Sequence, residues 1–514
     1  FRALGGAQSY PSRTKDTADV DFSTGSVGLG VAMTSFAALT QQYLRARERL
    51  TLGSGRMIAL ARDAELDEGN DYEALLEGWK HDIRNVWWVI DYNRQSLDAI
   101  VAGRLHHRFD TLFRDMGWRV ITLKYGLALE RAFQRRGGDA LRDWVDGCSN
   151  HLHAALSVQG GRAWRRQLLA DLGNVSGIRE LLDEHDDPSL HALMTNLGGH
   201  DLEQLVHAFR SVTDDQPTCF IAYTIKGYRL PFASHKDNHA GLMTADEIAE
   251  LKARMGIADG EEWNRSAGLS VPDRDLQAFL DAVPLHQAAP RVHRAAHVPV
   301  PARLDVSQKE RTSTQEGFGR ILAALPRQHP RLADHIVTTS PDVTVSTNLG
   351  PWVNRRGIFG DPPASDLPAE LRMSSAQSWA PSLEGQHIEL GIAENNLFIL
   401  LAALGLSAPL FGVRLLPIGT VYDPFIARGL DALNYACYQN ARFILVATPA
   451  GITLAPEGGA HQSISTPLIG MAQPGLTMFE PAYVDELAEV LRWSFEHLQA
   501  EDGGSIYLRL STRP

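Results

Sequence analysis

Short apolar runs separated by amphipathic stretches dominate the chain, and the two runs that matter most end in clusters of polar residues. Met57-Ile-Ala-Leu-Ala61 empties into Arg62-Asp63-Ala64-Glu65-Leu66-Asp67-Glu68, and Asn85-Val-Trp-Trp-Val-Ile90 into Asp91-Tyr92-Asn93-Arg94-Gln95. Further strands are predicted at 118–123 and 219–225, with helices over 31–48, 70–80, 106–115 and 244–255. Such alternation implies βαβ units and parallel sheets, so the expected fold class is α/β. Residues 284–303, rich in Pro, Ala and basic residues, lack either periodicity and read as a linker, assigned as 284–309. A second α/β half is predicted over 310–514, with a helix at 313–324 and strands near 335–339, 387–390, 410–416, 442–447 and 506–510.

Composition narrows the class. A chain of 514 residues allows two to four domains, and its net charge of −12 argues against a general nucleic-acid or membrane-surface binder. Three scattered cysteines, Cys148, Cys219 and Cys437, suit a reducing compartment, so a cytoplasmic location is expected. No apolar run is long enough to cross a bilayer and no signal peptide is evident. The chain opens on Phe1 and stops just after a strand-like 505–510, so both ends are expected to be trimmed edges of a longer protein.

Candidate chemistry sits at the strand ends. Two buried parallel strands ending side by side would bring Asp63, Asn93 and Gln95 to a carboxyl edge, where open α/β sheets bind ligands. That oxygen set suits Mg²⁺ completed by phosphate oxygens and water. The same residues equally suit a cap on the 70–80 helix and a turn at Asn93. The glycines of Thr24-Gly25-Ser26-Val27-Gly28-Leu29-Gly30 precede a helix, as in anion-binding loops and also in plain helix entries. His235 and His239 follow the 219–225 strand, and Glu457 and His461 share a glycine loop. Imidazole suits proton transfer near neutrality.

As a set, these residues resemble the thiamin-diphosphate enzymes of the transketolase and 2-oxo acid dehydrogenase superfamily. Their Gly-Asp-Gly motif carries an Asn thirty residues after the Asp and a main-chain ligand two positions later, the spacing kept by Asp63, Asn93 and Gln95. Glu65-Leu-Asp-Glu68, Arg94-Gln-Ser-Leu-Asp98, Gly117-Trp-Arg-Val-Ile121, Leu197-Gly-Gly-His-Asp201 and Tyr223-Thr-Ile-Lys-Gly-Tyr228 are most like the homodimeric pyruvate dehydrogenase E1 component. Gly391-Ile-Ala-Glu394 is similar to the segment that supplies the family's catalytic glutamate.

The resemblance implies two domains of thiamin-diphosphate-binding type: a diphosphate and Mg²⁺ domain at 1–283 and a pyrimidine domain at 310–514, the family's third domain being absent. It implies Asp63, Asn93 and Gln95 as metal ligands, and Glu394 acting at N1′ of the aminopyrimidine. Thr24, Gly25, Ser26, Val27, Gly28, Arg62, Ala64, Glu65 and Glu68 would line the cofactor cleft, with Tyr422 or Phe425 stacked on the pyrimidine. His235, His239, His461 and Glu457 become candidate acid/base groups. The implied activity is decarboxylation of a pyruvate-like 2-oxo acid and acyl transfer through a C2 carbanion. The implied assembly is a homodimer with active sites at the subunit interface, and a lipoyl-bearing acyltransferase is a candidate partner.

Departures set limits on this. Arg62 and Ala64 replace both motif glycines, crowding the backbone beside the diphosphate or, through Arg62, adding a charge-assisted contact to it. They also motivate a third reading, a dimeric scaffold of the same fold without efficient cofactor binding. The segment 340–348 and Arg311 resemble transketolase's phosphate site. Pro449 stands where that enzyme has a phosphate-binding histidine and Glu457 where it has an aspartate, which favours a 2-oxo acid over a ketose phosphate.

Overall fold

The computed structural model describes residues 3–6, 8–25, 27–50, 55–101, 103, 105–284, 292–306, 311–362 and 375–514. It divides into two compact units: Ile58–Asp67 with Trp87–Pro290, and Phe1–Met57 with Glu68–Val86 and Arg291–Pro514. The grouping differs from a simple cut at 284–309, because the N-terminal helix Leu29–Ala46 and the helix Gly69–Lys80 pack with the second half of the chain.

The smaller unit is built on four strands, β1 (Met57–Arg62), β2 (Val86–Tyr92), β3 (Arg119–Leu123) and β4 (Thr218–Tyr223), in the order β1-β2-β4-β3. The β2–β4 and β3–β4 pairs are parallel. Every residue of β4 is buried, and β2 is nearly so, which accounts for their continuous apolar sequences. Trp87, Phe209 and Phe220 fill one face in edge and stacked contacts. The region read from sequence only as mixed and helical holds six helices between Leu127 and Met194, packed on a core of their own around Trp164 and Leu190.

Among the described residues the larger unit carries eight strands: β5 (Ile336–Pro341), β6 (Ile358–Phe359), β7 (Pro381–Ser382), β8 (His387–Leu390), β9 (Leu416–Val421), β10 (Ile444–Ala447), β11 (Leu476–Phe479) and β12 (Ser505–Arg509). Their order is β11-β12-β10-β9-β5-β8-β6-β7, with every adjacent pair parallel. The fold class is therefore α/β with parallel sheets flanked by helices, as expected. The helix Glu394–Gly405 has ten of its residues buried and is apolar all round, the pattern of a helix covered on every side. It packs against β9, β5, the Leu29–Ala46 helix and the Gly69–Lys80 helix.

One predicted strand is wrong. The apolar run 410–416 closes the helix Ser407–Phe411, which ends at Gly412 in the left-handed conformation, and the strand begins only at Leu416. Pro417 and Gly419 weakened the strand signal there. Gly419 is required by packing, since a β-carbon would lie 2.5 Å from Leu401 of the central helix. The two-residue strands β6 and β7, together with β11, carry too little pattern to be read from sequence. Among the described residues no helix is long and apolar enough to cross a membrane.

The Leu197-Gly-Gly-His-Asp201 segment fastens the ends of β3 and β4. A β-carbon on Gly198 would stand 2.6 Å from the Leu123 backbone, and one on Gly199 2.6 Å from the Tyr223 carbonyl oxygen. Asp201 accepts the N–H groups of Gln204 and Leu127, and His200 Nε2 accepts the N–H of Ile225 at 2.8 Å. Burial lowers the His200 pKa to about 4, so it stays a neutral acceptor. Gly198→Ala forces atoms into backbone rather than into a yielding side chain. We expect a loss of roughly 1–3 kcal/mol, measured by urea unfolding; an unchanged midpoint would contradict this packing.

Candidate functional site

Asp63 follows β1 directly, at the head of a short 3₁₀ turn, Asp63–Asp67. It does not cap the next helix, whose N-cap position is Glu68. Its Oδ1 accepts the N–H of Ala64 at 3.2 Å and its Oδ2 the N–H of Arg94 at 2.8 Å, tying the end of β1 to the loop after β2. Asn93 makes the expected turn, its Oδ1 accepting the N–H of Gln95 at 3.0 Å. All three are buried, Asp63 to 3 % exposure. No ion pair reaches Asp63 among the described residues. Burial, opposed by the Arg94 N–H and reinforced by Asp91, raises its pKa from 3.8 to about 6. The Arg94 charge acts on it only weakly, less than any of these causes.

Sequence reasoning missed the residues that brace this corner. Gln95 Nε2 donates to the Ser234 carbonyl at 3.1 Å, and Asn238 Nδ2 donates to Gln95 Oε1 at 3.3 Å and to the Lys226 carbonyl at 2.9 Å. Lys226 Nζ donates to the Ser96 carbonyl at 2.7 Å, and the Arg94 guanidinium to that of Thr224 at 2.9 Å. The 226–239 loop is therefore pinned by Asn238, while His235 is partly exposed and His239 exposed. Arg62 is exposed, Ala64 and Glu65 are partly buried, and Glu68 is exposed.

In the larger unit, Gly28 forms the helix-entry turn at φ 72°, and Asn70 donates to the Val27 carbonyl at 3.0 Å. The room left by the missing side chains of Gly28 and Gly25 is taken by Asn70 and Tyr435 respectively. Thr24 is partly buried, and Ser26 lies outside the described residues.

Glu394 begins the central helix and is 4 % exposed, with Arg428 Nε 3.2 Å from its Oε2. Two further acids stand beside this segment. Asn396 donates to the Glu73 carbonyl at 3.1 Å, and Glu77 accepts the Gly391 N–H at 3.0 Å. Burial raises the Glu73 pKa, with Glu394 adding to the effect. Burial also acts upward on Glu77, but His81, the Gly391 N–H and Lys80 together hold it low. Tyr422 and Phe425 stack 6.0 Å apart, with the His461 ring edge-on at 6.3 and 5.2 Å, so the structure assembles these three. Glu457 is exposed. The loop that bears His461 is anchored on buried Asp423, which accepts from Tyr507 at 2.8 Å, Thr466 at 2.8 Å and Arg509 at 3.1 Å.

Residues 311–513 match the family model of the transketolase pyrimidine binding domain. The chain is 24% identical to the pyruvate dehydrogenase E1 component of Corynebacterium glutamicum over 98% of its own length and 56% of that protein's. Against the counterpart from Cupriavidus necator it is 25% identical, over 98% and 57%. Among solved structures, transketolase from Campylobacter jejuni aligns at TM-score 0.60 and 17% identity, over 98% of this chain and 63% of that one. Transketolase from Leishmania mexicana aligns at TM-score 0.61 and 18% identity, over 96% and 61%. The fold is thus shared with transketolases, and the family match covers residues 311–513, less than half of the chain. By sequence the chain is similar to pyruvate dehydrogenase E1 components, and it spans little more than half of their length.

The raised Asp63 pKa has a defined sign. The folded state holds the proton up to about pH 6, whereas the unfolded chain releases it near 3.8. Stability contributed by this residue therefore falls as pH rises through that window. In metal-free buffer, we expect the unfolding free energy of wild type relative to Asp63→Ala to drop by roughly 2 kcal/mol between about pH 4 and 7. A difference that stays flat with pH would show that Asp63 carries no such strain.

Proposed function

We propose that the chain is the two-domain core of a thiamin-diphosphate- and Mg²⁺-dependent 2-oxo acid dehydrogenase E1-like enzyme, decarboxylating a pyruvate-like acid. The observation that carries this reading is the buried Asp63 carboxylate, without an ion pair among the described residues and joined through Arg94 to Asn93 and Gln95. One carboxylate, one amide oxygen and one main-chain oxygen, completed by diphosphate oxygens and water, suit Mg²⁺. Among the described residues no group of three or more His, Cys, Asp or Glu is placed to hold a metal, so a softer all-protein site is not the competing explanation. In this assignment 1–283 supplies the diphosphate and metal residues and 310–514 the pyrimidine residues.

Bound thiamin diphosphate would supply an acidic C–H and an electron sink for the bond from the 2-oxo acid's carbonyl carbon to its carboxylate. The chain's own contribution is proton handling and positioning. With thiamin diphosphate bound, Glu394 would hold a proton against the aminopyrimidine. Glu73 and Glu77, beside the same helix start, hold acidic character around it. Tyr422 and Phe425 offer a flat apolar face, and His461, held edge-on to them, presents a proton donor to substrate. His235 and His239 stand on the loop braced by Asn238 and serve as further donors. Val27 and the Thr24–Gly28 turn, with Arg62, Ala64, Glu65 and Glu68, are the remaining cofactor contacts in this reading.

Leu76 and Trp79, three residues apart on one helix face, are 44 % and 57 % exposed, and Ile392 is 71 % exposed. An uncovered apolar surface of this kind supports a homodimer, in which each cofactor would lie between the metal residues of one subunit and Glu394 of the other. The three free cysteines are compatible with the cytoplasm. A lipoyl-bearing acyltransferase is the proposed acyl acceptor.

A second reading, the non-catalytic scaffold, draws on the Arg428–Glu394 ion pair, which occupies the carboxylate the cofactor would need. Titration calorimetry separates the two. We expect saturable binding of thiamin diphosphate with Mg²⁺ that is lost in Asp63→Ala, and release of CO₂ from pyruvate or a close homologue. Absence of binding by the full-length protein would favour the scaffold. Turnover of xylulose 5-phosphate without CO₂ from any 2-oxo acid would instead make it a transketolase.

A further inference from the structure

A cavity of about 400 Å³ in the larger unit is lined by Arg13, His293, Arg294, Arg414 and Arg442, with no Asp or Glu among the described lining residues. Leu415 directly precedes β9 and Arg442 stands two residues before β10, so the cavity lies at the amino edge of the parallel sheet. Glu394, Tyr422 and Phe425 follow the carboxyl ends of β8 and β9. The two sites are thus on opposite edges of one sheet.

The guanidinium groups of Arg414 and Arg442 are met by carbonyl oxygens. Arg414 donates to the carbonyls of Ala296 at 3.2 Å and Ala295 at 3.4 Å, and Arg442 to those of Leu498 at 3.3 Å and Glu501 at 3.1 Å. Carbonyl oxygens fix the direction of a guanidinium and leave its charge in place. Arg13 Nε is buried with no hydrogen-bond partner among the described residues. Burial depresses the pKa of all three arginines, and Arg442 depresses that of Arg414 further. In a chain of net charge −12, four arginines around one cavity run against the overall field. Leu406, Pro409 and Leu415 add an apolar wall.

We propose that this cavity binds a small, multiply charged phosphate ester, as an effector site separate from the cofactor site. Guanidinium groups match phosphate oxygens in geometry as well as charge, and the apolar wall accommodates the ester's organic portion. The volume suits a ligand the size of a mononucleotide.

Calorimetric titration of the whole chain with pyrophosphate and with ADP, in EDTA without Mg²⁺, tests this. Saturable binding of both is expected, unchanged by excess thiamin diphosphate and retained in Asp63→Ala. Arg294 is exposed and makes no hydrogen bond or ion pair among the described residues, so Arg294→Gln leaves the fold intact. Its affinity should fall about tenfold, and that of Arg414→Gln at least as far. No saturable binding, displacement by thiamin diphosphate, binding of pyrophosphate without ADP, or wild-type affinity in both variants would each overturn the proposal.

Discussion

Burial of the Glu394–Gly405 helix is the constraint on which the larger unit depends. Its apolar circumference has to be covered on every side, by the sheet on one side and by the helices Leu29–Ala46 and Gly69–Lys80 on others. That demand draws two segments from the first eighty-six residues into the second half of the chain. It also buries the acid at the helix start. Glu394 cannot be solvated there, and its neighbours are a cation, Arg428, and two further acids, Glu73 and Glu77. A carboxylate on a rigid, fully packed element is better fixed in space than one on a loop.

Parallel sheets impose a second regularity. With both faces covered, polar side chains on the strands have nowhere to go but the ends. At the carboxyl edge of the four-stranded sheet they gather as Asp63, Asn93 and Gln95; at that of the eight-stranded sheet, as Glu394 and the Tyr422–Phe425–His461 group. The amino edge of the larger sheet collects a different population, three arginines with carbonyl partners, Arg13, Arg414 and Arg442, and the exposed Arg294. Asp63 and the arginines show opposite signs of one effect: burial raises the acid's pKa and lowers those of the bases, and in both cases a bound counter-ion would relieve the cost.

The placement of much of the candidate site was legible because it depends on sequence-local spacing. Asp63, Asn93, Gln95 and Glu394 occupy strand ends and a helix start predictable from apolar runs, and the structure buries each of them. The bracing residues were not legible. Asn238, Lys226 and Thr224 reach the Asp63 corner only because β4 lies beside β2, a pairing that hydrophobic pattern does not reveal. Arg428 and Glu73 are likewise ordinary surface-type charges until the central helix is packed. The glycines near residue 25 turn out to admit Tyr435 and Asn70 against the backbone, a role that requires knowing what packs there.

The sequence alone determined the α/β class, the position of most long strands, and the metal-type and glutamate motifs, since each follows from residue types at fixed short separations. Tertiary structure decided which strands are neighbours, that 410–416 ends a helix rather than forming a strand, and that residues 1–57 and 68–86 pack with the second half. It also brought Arg13, His293, Arg294, Arg414 and Arg442 around one cavity. These outcomes depend on contacts between residues hundreds of positions apart, where burial of apolar surface outweighs any local preference.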